Sequence, residues 1–220
     1  MKPVRGVLLD IDGTLVESND AHAHAWVHAL AESGHDVPFE KVRPLIGMGG
    51  DKLLPKVCGL DAEAREGKRV SERRGEIFLA DYLPHLRPTR GARELLDQLS
   101  ARGLRLAVAS SAKKGELEPL MKLCGADRVC ESATSSDDAA ASKPDPDILN
   151  AALQSLGLPA AQAVMIGDTP YDVEAAKRAG MRVIAFRCGG WDDAGLRGAV
   201  AVYDDPADLA AHLDRSPLFA

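Results

Sequence analysis

A doubly wound parallel α/β sheet carrying a small all-helical insertion is the fold this sequence predicts, and three observations predict it. Four short, nearly continuous apolar runs rich in Val, Ile and Leu have the pattern of strands buried on both faces. Helical patterns alternate with these runs, which is the signature of strand–helix–strand units. One stretch, residues 16–87, breaks the alternation with helical patterns that no such run interrupts.

The first run, VRGVLLD at 4–10, leads straight into an acidic turn. The insertion follows at 16–87 with four helical patterns: AHAHAWVHALAESG, FEKVRPLIG, GDKLLPKVCG and DAEAREGKRVSERRGEIFLADYL. The chain then returns through TRGARELLDQLSARG at 89–103, whose Ala92, Leu95, Leu96 and Leu99 make an apolar helical stripe. Next come the strand RLAVAS at 105–110, the helix KKGELEPLMKLCG at 113–125 and the helix PDILNAALQSLG at 146–157. The strand AVMIG at 163–167, the helix TPYDVEAAKRAG at 169–180 and the strand RVIAF at 182–186 complete the pattern. Pro146 and Pro170 suit first-turn positions, and glycines follow the helical patterns as C-terminal caps. SATSSDDAAAS at 132–142 is the most loop-like stretch.

The expected division is a core from 1–15 and 88–220 and a helical domain from 16–87. Because the insertion leaves just after the first strand, its linkers are expected beside that strand's C-terminal end. Open α/β sheets bind ligands at that edge, so the insertion is expected to cap a site there.

Composition narrows the partners. The chain has 220 residues, 45% of them apolar and only 4% aromatic, so one core built of small aliphatic side chains plus a satellite domain is expected. Its 27 basic and 33 acidic residues leave a net charge of −6, which repels nucleic acid and anionic membranes. The N-terminal apolar run is too short for a signal peptide and no run approaches a membrane span, so a cytoplasmic protein is expected. Cys58, Cys124, Cys130 and Cys188 lack zinc-ligand spacing and read as buried reduced thiols.

The first strand runs into Asp10-Ile11-Asp12-Gly13-Thr14. Residues two apart on a strand share a face, so Asp10 and Asp12 pair two carboxylates at the strand's exit, where a cation or a proton must offset them. Gly13 has no side chain to keep an anion from the backbone. Ser110 closes the second strand, Lys143 opens SKPDPD, and Asp168 and Asp172 lie in GDTPYD after the strand at 163–167. In a parallel sheet all strand C-termini share one edge, so these groups converge on Asp10 and Asp12.

With those residues in place the chain resembles the haloacid dehalogenase superfamily over essentially its whole length. The likeness is to the Rossmann-like phosphatase and phosphomutase members with a small helical cap after the first strand, the phosphoglycolate phosphatase and β-phosphoglucomutase branch. DIDGT matches the first motif of that superfamily, Ser110 the second, Lys143 the third and GDTPYD the fourth. The resemblance implies Asp10 as nucleophile and Asp12 as general acid/base. It implies Gly13, Ser110, Ser111 and Lys143 around the phosphate, and Mg²⁺ held by Asp10, Asp12 (through its backbone carbonyl), Asp168 and, in a supporting role, Asp172.

Asp12 favours phosphate esters over haloacids, because a halide leaves without needing a proton. In the sugar-phosphate mutases the resemblance leads one to expect an Arg in the cap turn, which here reads Ile46-Gly47-Met48-Gly49-Gly50-Asp51-Lys52. Gly47, Gly49 and Gly50 are expected to make that turn flexible, with Lys52 its only nearby cation, so Gly49, Gly50 and Lys52 are candidate specificity positions. Five histidines (His22, His24, His28, His35 and His85) lie in the insertion, and His22 is the one expected to face substrate. Lys68, Arg69, Arg73 and Arg74 alternate with Glu66, Glu72 and Glu76 and read as a solvated helix face.

The expected function is Mg²⁺-dependent hydrolysis of a small soluble phosphomonoester, a sugar phosphate or phosphoglycolate, by a monomer or homodimer. A hexose-phosphate mutase is the alternative within the fold. A phospho-aspartate receiver domain fits poorly, since it carries no helical cap and would not place its aspartate on the first strand two residues before another. An inactive binding module is disfavoured by the full set of acidic positions.

Overall fold

The structure is a computed structural model that describes residues 3–219. The chain divides into two compact units, one formed by residues up to Glu17 together with those from Arg87 onward, the other by Ser18–Leu86.

The first unit is built on a six-stranded sheet: β1 (Gly6–Leu9), β2 (Arg105–Ala109), β3 (Ser132–Thr134), β4 (Ala163–Gly167), β5 (Arg182–Phe186) and β6 (Ala201–Tyr203). All neighbours are parallel and the spatial order is β3-β2-β1-β4-β5-β6. Chain order reverses at β1, which pairs with both β2 and β4, and such a switch point opens a crevice at the strands' carboxyl ends.

The apolar runs form the central strands because both faces are covered. On one face Leu8, Ala107, Met165 and Val183 pack with Ile148, Leu149, Ala152, Val173 and Ala176, side chains of the two helices that cover that face. The alternate residues Val7, Leu9, Val108 and Ile166 are equally buried on the other face.

β3 falls at the start of the stretch read as most loop-like, and β6 was not expected at all. Both are three-residue edge strands, too short and too polar or exposed to show an apolar run.

The second unit holds α1 (Asn19–Glu32), α2 (Phe39–Val42), α3 (Gly50–Cys58) and α4 (Arg65–Ile77), the last continuing as a π-helical turn, Phe78–Tyr82. Helices α5 (Ala92–Ala101), α6 (Lys114–Cys124), α7 (Asp147–Leu156), α8 (Pro170–Arg178) and α9 (Pro206–Ala211) belong to the first unit. Gly125 and Gly157 cap α6 and α7 in the left-handed conformation, as their glycines suggest.

The boundary between the units lies two residues further in than 15/16 at one side and one residue earlier than 87/88 at the other. Val16 bridges to Pro88, the Glu17 amide donates to the Arg87 carbonyl, and the Thr89 amide donates to the Leu15 carbonyl. These bonds bind the two linkers side by side just past β1.

Candidate active site

Sheet register assembles the site. Leu9 is paired with Val108 on one side and Ile166 on the other, and the Asp10 amide donates to the Ile166 carbonyl at 2.9 Å. Asp10 is therefore level with Ala109 and Gly167, and Ser110 and Asp168 follow one residue further along the two flanking strands. The Ser110 amide donates to the Thr134 carbonyl, which brings in the segment after β3 that carries Lys143.

Lys143 is completely buried, with Nζ 2.5 Å from Asp10 Oδ1 and 2.8 Å from Asp172 Oδ1. The other Asp172 oxygen accepts from the Thr169 amide at 3.0 Å and the Thr169 hydroxyl at 2.7 Å. Thr169 in turn caps α8 by accepting from the Asp172 amide, so this is a reciprocal capping box. A Cβ on Gly167 would stand 2.4 Å from Asp172 Cγ, which is why the residue before Asp168 has no side chain.

Thr14 joins the two acidic turns, its hydroxyl lying 2.8 Å from Asp168 Oδ1 and 3.3 Å from Asp10 Oδ2. Burial pushes the Asp10 carboxyl well above the usual carboxylate range; Lys143 opposes this, while Asp172, Asp168 and Asp12 reinforce it. Burial pulls the Lys143 ammonium down, but Asp10 and Asp172 outweigh that and hold it above its ordinary value.

Asp10, Asp168 and Asp172 each offer a carboxylate oxygen within 4.8 Å of the others, the one such group among the described residues. Residues 7–186 match the family model described as haloacid dehalogenase-like hydrolase. The chain belongs to that family. It is an enzyme, a haloacid dehalogenase-like hydrolase.

The chain is 35% identical to a phosphoglycolate phosphatase of Rhodospirillum rubrum, over 93% of this chain and 89% of that protein. Among solved structures, a hydrolase from Pseudomonas syringae superposes with a TM-score of 0.88 at 28% identity, covering 96% and 98% of the two chains. A β-phosphoglucomutase from Clostridium difficile shares the fold, with a TM-score of 0.82 at 17% identity and 94% and 93% coverage.

Asp12 is buried at 7% exposure, but its carboxylate is not in the three-acid group. Both aspartates lie beyond β1, which ends at Leu9, so the turn and not strand alternation orients them. Gly13 has φ 79°, a conformation that favours glycine, and its amide donates to the Val16 carbonyl. Its own N–H is thus committed to the turn, which corrects the expectation that it is open to an anion. Ser110 Oγ accepts from the Ala112 amide, and Ser111 Oγ lies 3.4 Å from the Lys143 amide.

Asp172, a member of that three-acid group, also has one oxygen fastened to Thr169 and the other 2.8 Å from Lys143 Nζ, so it orients the lysine as well. Thr14 and Thr169 were missed as functional positions although both lie inside the quoted motifs.

Within the helical unit, His22 is buried and stacked on Phe78 with centroids 3.9 Å apart, and Arg74 Nη1 lies 3.4 Å from its Nδ1. Arg74 is 7% exposed and packs over the Trp26 ring at 5.0 Å. That overturns its reading as part of a solvated face. It shares the buried stripe of Val70, Ile77 and Phe78 at helical spacing, which was the signal available in the sequence.

The turn at 46–52 is also more structured than expected. Gly49 is the buried N-cap of α3, and a Cβ on Gly50 would meet the Trp26 ring at 3.2 Å. Lys52 Nζ stands 4.0 Å from Asp51 Oδ2. His24 stacks on Phe39 and Tyr82, and His28 lies against Tyr82.

The four cysteines are free, but only Cys124 is buried; Cys188 is exposed, with its Sγ 3.2 Å from the Gly13 carbonyl. No helix among the described residues is long and apolar enough to cross a membrane.

Proposed function

We propose that this enzyme hydrolyses a small phosphomonoester bearing a second anionic group, of the phosphoglycolate type, through an aspartyl-phosphate on Asp10. The observation that carries this reading is the buried Asp10–Lys143–Asp172 chain at the switch point of the sheet, with Asp168 joined to it through Thr14.

The donor set fits Mg²⁺. Hard carboxylate oxygens are the ligands that ion takes, and the carboxylates that raise Asp10 outnumber the one buried ammonium. Asp10 and Asp168 would hold the ion, with the Asp12 carbonyl. When bound, it supplies the positive charge that lets a phosphate dianion approach these acids.

The chain's own groups account for the rest. The Asp10 carboxylate attacks phosphorus as the ester oxygen leaves, and Asp12 gives that oxygen its proton. Asp12 then takes a proton from the water that attacks the aspartyl-phosphate, releasing inorganic phosphate and restoring Asp10. Lys143 neutralises one phosphate oxygen as a point charge, and the Ser110 hydroxyl, with the Ser111 segment beside it, offers donors.

His22, Gly49, Gly50 and Lys52 of the helical unit remain the proposed positions of specificity. A hexose-phosphate mutase is the second reading, since the chain shares its fold with a β-phosphoglucomutase.

Phosphorus NMR decides between the two. Phosphoglycolate with Mg²⁺ is expected to yield inorganic phosphate. β-Glucose 1-phosphate with a trace of bisphosphate is expected to yield inorganic phosphate faster than glucose 6-phosphate, and the reverse order would establish the mutase.

A further inference from the structure

β5 is followed by a tight 3-10 turn, Arg187–Gly189, that none of the four motifs includes. It touches both acidic loops. Cys188 Sγ donates to the carbonyl of Gly13, in the Asp10 loop, at 3.2 Å. Gly189 lies against Asp168: a Cβ placed on it would stand 1.8 Å from Asp168 Oδ2, 2.5 Å from Cγ and 2.6 Å from Cβ. All three nearest atoms belong to that one side chain.

The glycine is not there for backbone reasons. Gly189 is absent from the positive-φ glycines, so its backbone accepts an alanine, and only the aspartate objects. The turn itself is fastened from behind. The Cys188 amide donates to the Asp204 carbonyl at 2.9 Å, and Arg187 pairs with Asp193 at 2.7 Å and Asp204 at 2.8 Å. Asp168, fully buried, therefore has the Thr14 hydroxyl on Oδ1 and the Gly189 main chain against Oδ2.

We propose that Gly189 is a positioning residue for the metal site, its bare α-carbon setting where the Asp168 carboxylate stands. This rests on the reading of Asp168 as a metal ligand. Neighbours that orient a ligand typically matter ten- to a hundredfold in metal affinity. Mg²⁺ is the stricter probe, since it demands near-ideal octahedral geometry, whereas Ca²⁺ accepts an irregular shell.

Two measurements test the proposal. Calorimetric titration of the metal-free protein should show Gly189→Ala binding Mg²⁺ at least roughly tenfold more weakly than wild type, with a smaller loss for Ca²⁺, a change of selectivity that general loosening would not produce. Thermal melts without metal should show Gly189→Ala lowering the midpoint of wild type but not of Asp168→Gly, in which the obstructing side chain is gone. Mg²⁺ affinity within twofold of wild type, or an equal loss of midpoint in both backgrounds, would overturn it. Should the single variant not fold, a folded Asp168→Gly/Gly189→Ala protein supports the contact and an unfolded one refutes it. A wild type that binds no Mg²⁺ would refute the metal reading itself, while the melts still decide whether Gly189 holds Asp168.

Discussion

Lys143 and Asp10 form a buried ion pair with Nζ and Oδ1 2.5 Å apart, although they are 133 positions apart in the chain. The ammonium thus holds one oxygen of the nucleophile candidate while Thr14 lies against the other. A lysine expected only as a phosphate ligand is also the group that makes a cluster of buried acids tolerable.

Asp10→Asn should abolish phosphomonoester hydrolysis while the protein stays folded, since the amide cannot form the acyl phosphate. Release of inorganic phosphate, with mass spectrometry to exclude deamidation, checks this. Retention of more than about a few per cent of activity would remove Asp10 from the nucleophile role, because losing a covalent nucleophile costs orders of magnitude.

The same substitution predicts a pH dependence. The Asp10 carboxyl is raised in the folded state, so the stability it contributes is fully present below its unfolded value and is lost as pH rises through the folded one. Lys143 is also raised, but above its ordinary range, so its contribution stays constant from pH 5 to 8. Metal-free wild type should therefore lose stability relative to Asp10→Asn as pH rises above the ordinary carboxylate range. Urea denaturation of both proteins at several pH values measures the difference, and parallel curves would contradict the assignment.

Lys143→Met should be destabilising, since it strands Asp10 and Asp172 without their shared cation. Removing one partner of a buried pair costs about 3–5 kcal/mol, and the fit of methionine to the lysine stem limits any cavity term. Urea midpoints check the size. Combining it with Asp10→Asn should recover part of the loss, because one of the stranded charges is then gone.

Arg74 and its neighbour Arg73 should behave differently. Arg73 pairs with Glu32 and Glu76 with its side chain 44% exposed, where water screens the charges. Arg74→Ala should lower the urea midpoint clearly, since it removes a buried side chain that packs over Trp26 and lies beside His22. Arg73→Ala should leave the midpoint nearly unchanged. Equal losses of midpoint in the two variants would refute the difference between the buried and the exposed arginine.

Chelation should silence the enzyme and Mg²⁺ should restore it, whereas Ca²⁺ should not, because its longer, looser shell misaligns Asp10 for attack. Full turnover in excess chelator would end the metal reading.

The chemistry was legible in the sequence because each piece of it is local. A strand of four apolar residues followed by DIDGT, or AVMIG followed by GDTPYD, needs no distant residue to be recognised, and burial on both faces explains the uninterrupted apolar runs. The edge strands Ser132–Thr134 and Ala201–Tyr203 were not legible, as three residues at a sheet's rim carry no such run.

The sequence by itself determined the fold class, the helical insertion and the aspartates on which the proposed chemistry rests. Tertiary structure alone decided what each group touches. It set Asp172 beside Lys143 as well as in the three-acid group, buried Arg74 against Trp26, and set Thr14 on Asp168 across 154 positions. The reason is physical: periodicity encodes which face of an element is covered, whereas a side-chain contact depends on strand register and on the glycines that let Asp168 and Asp172 lie against the main chain.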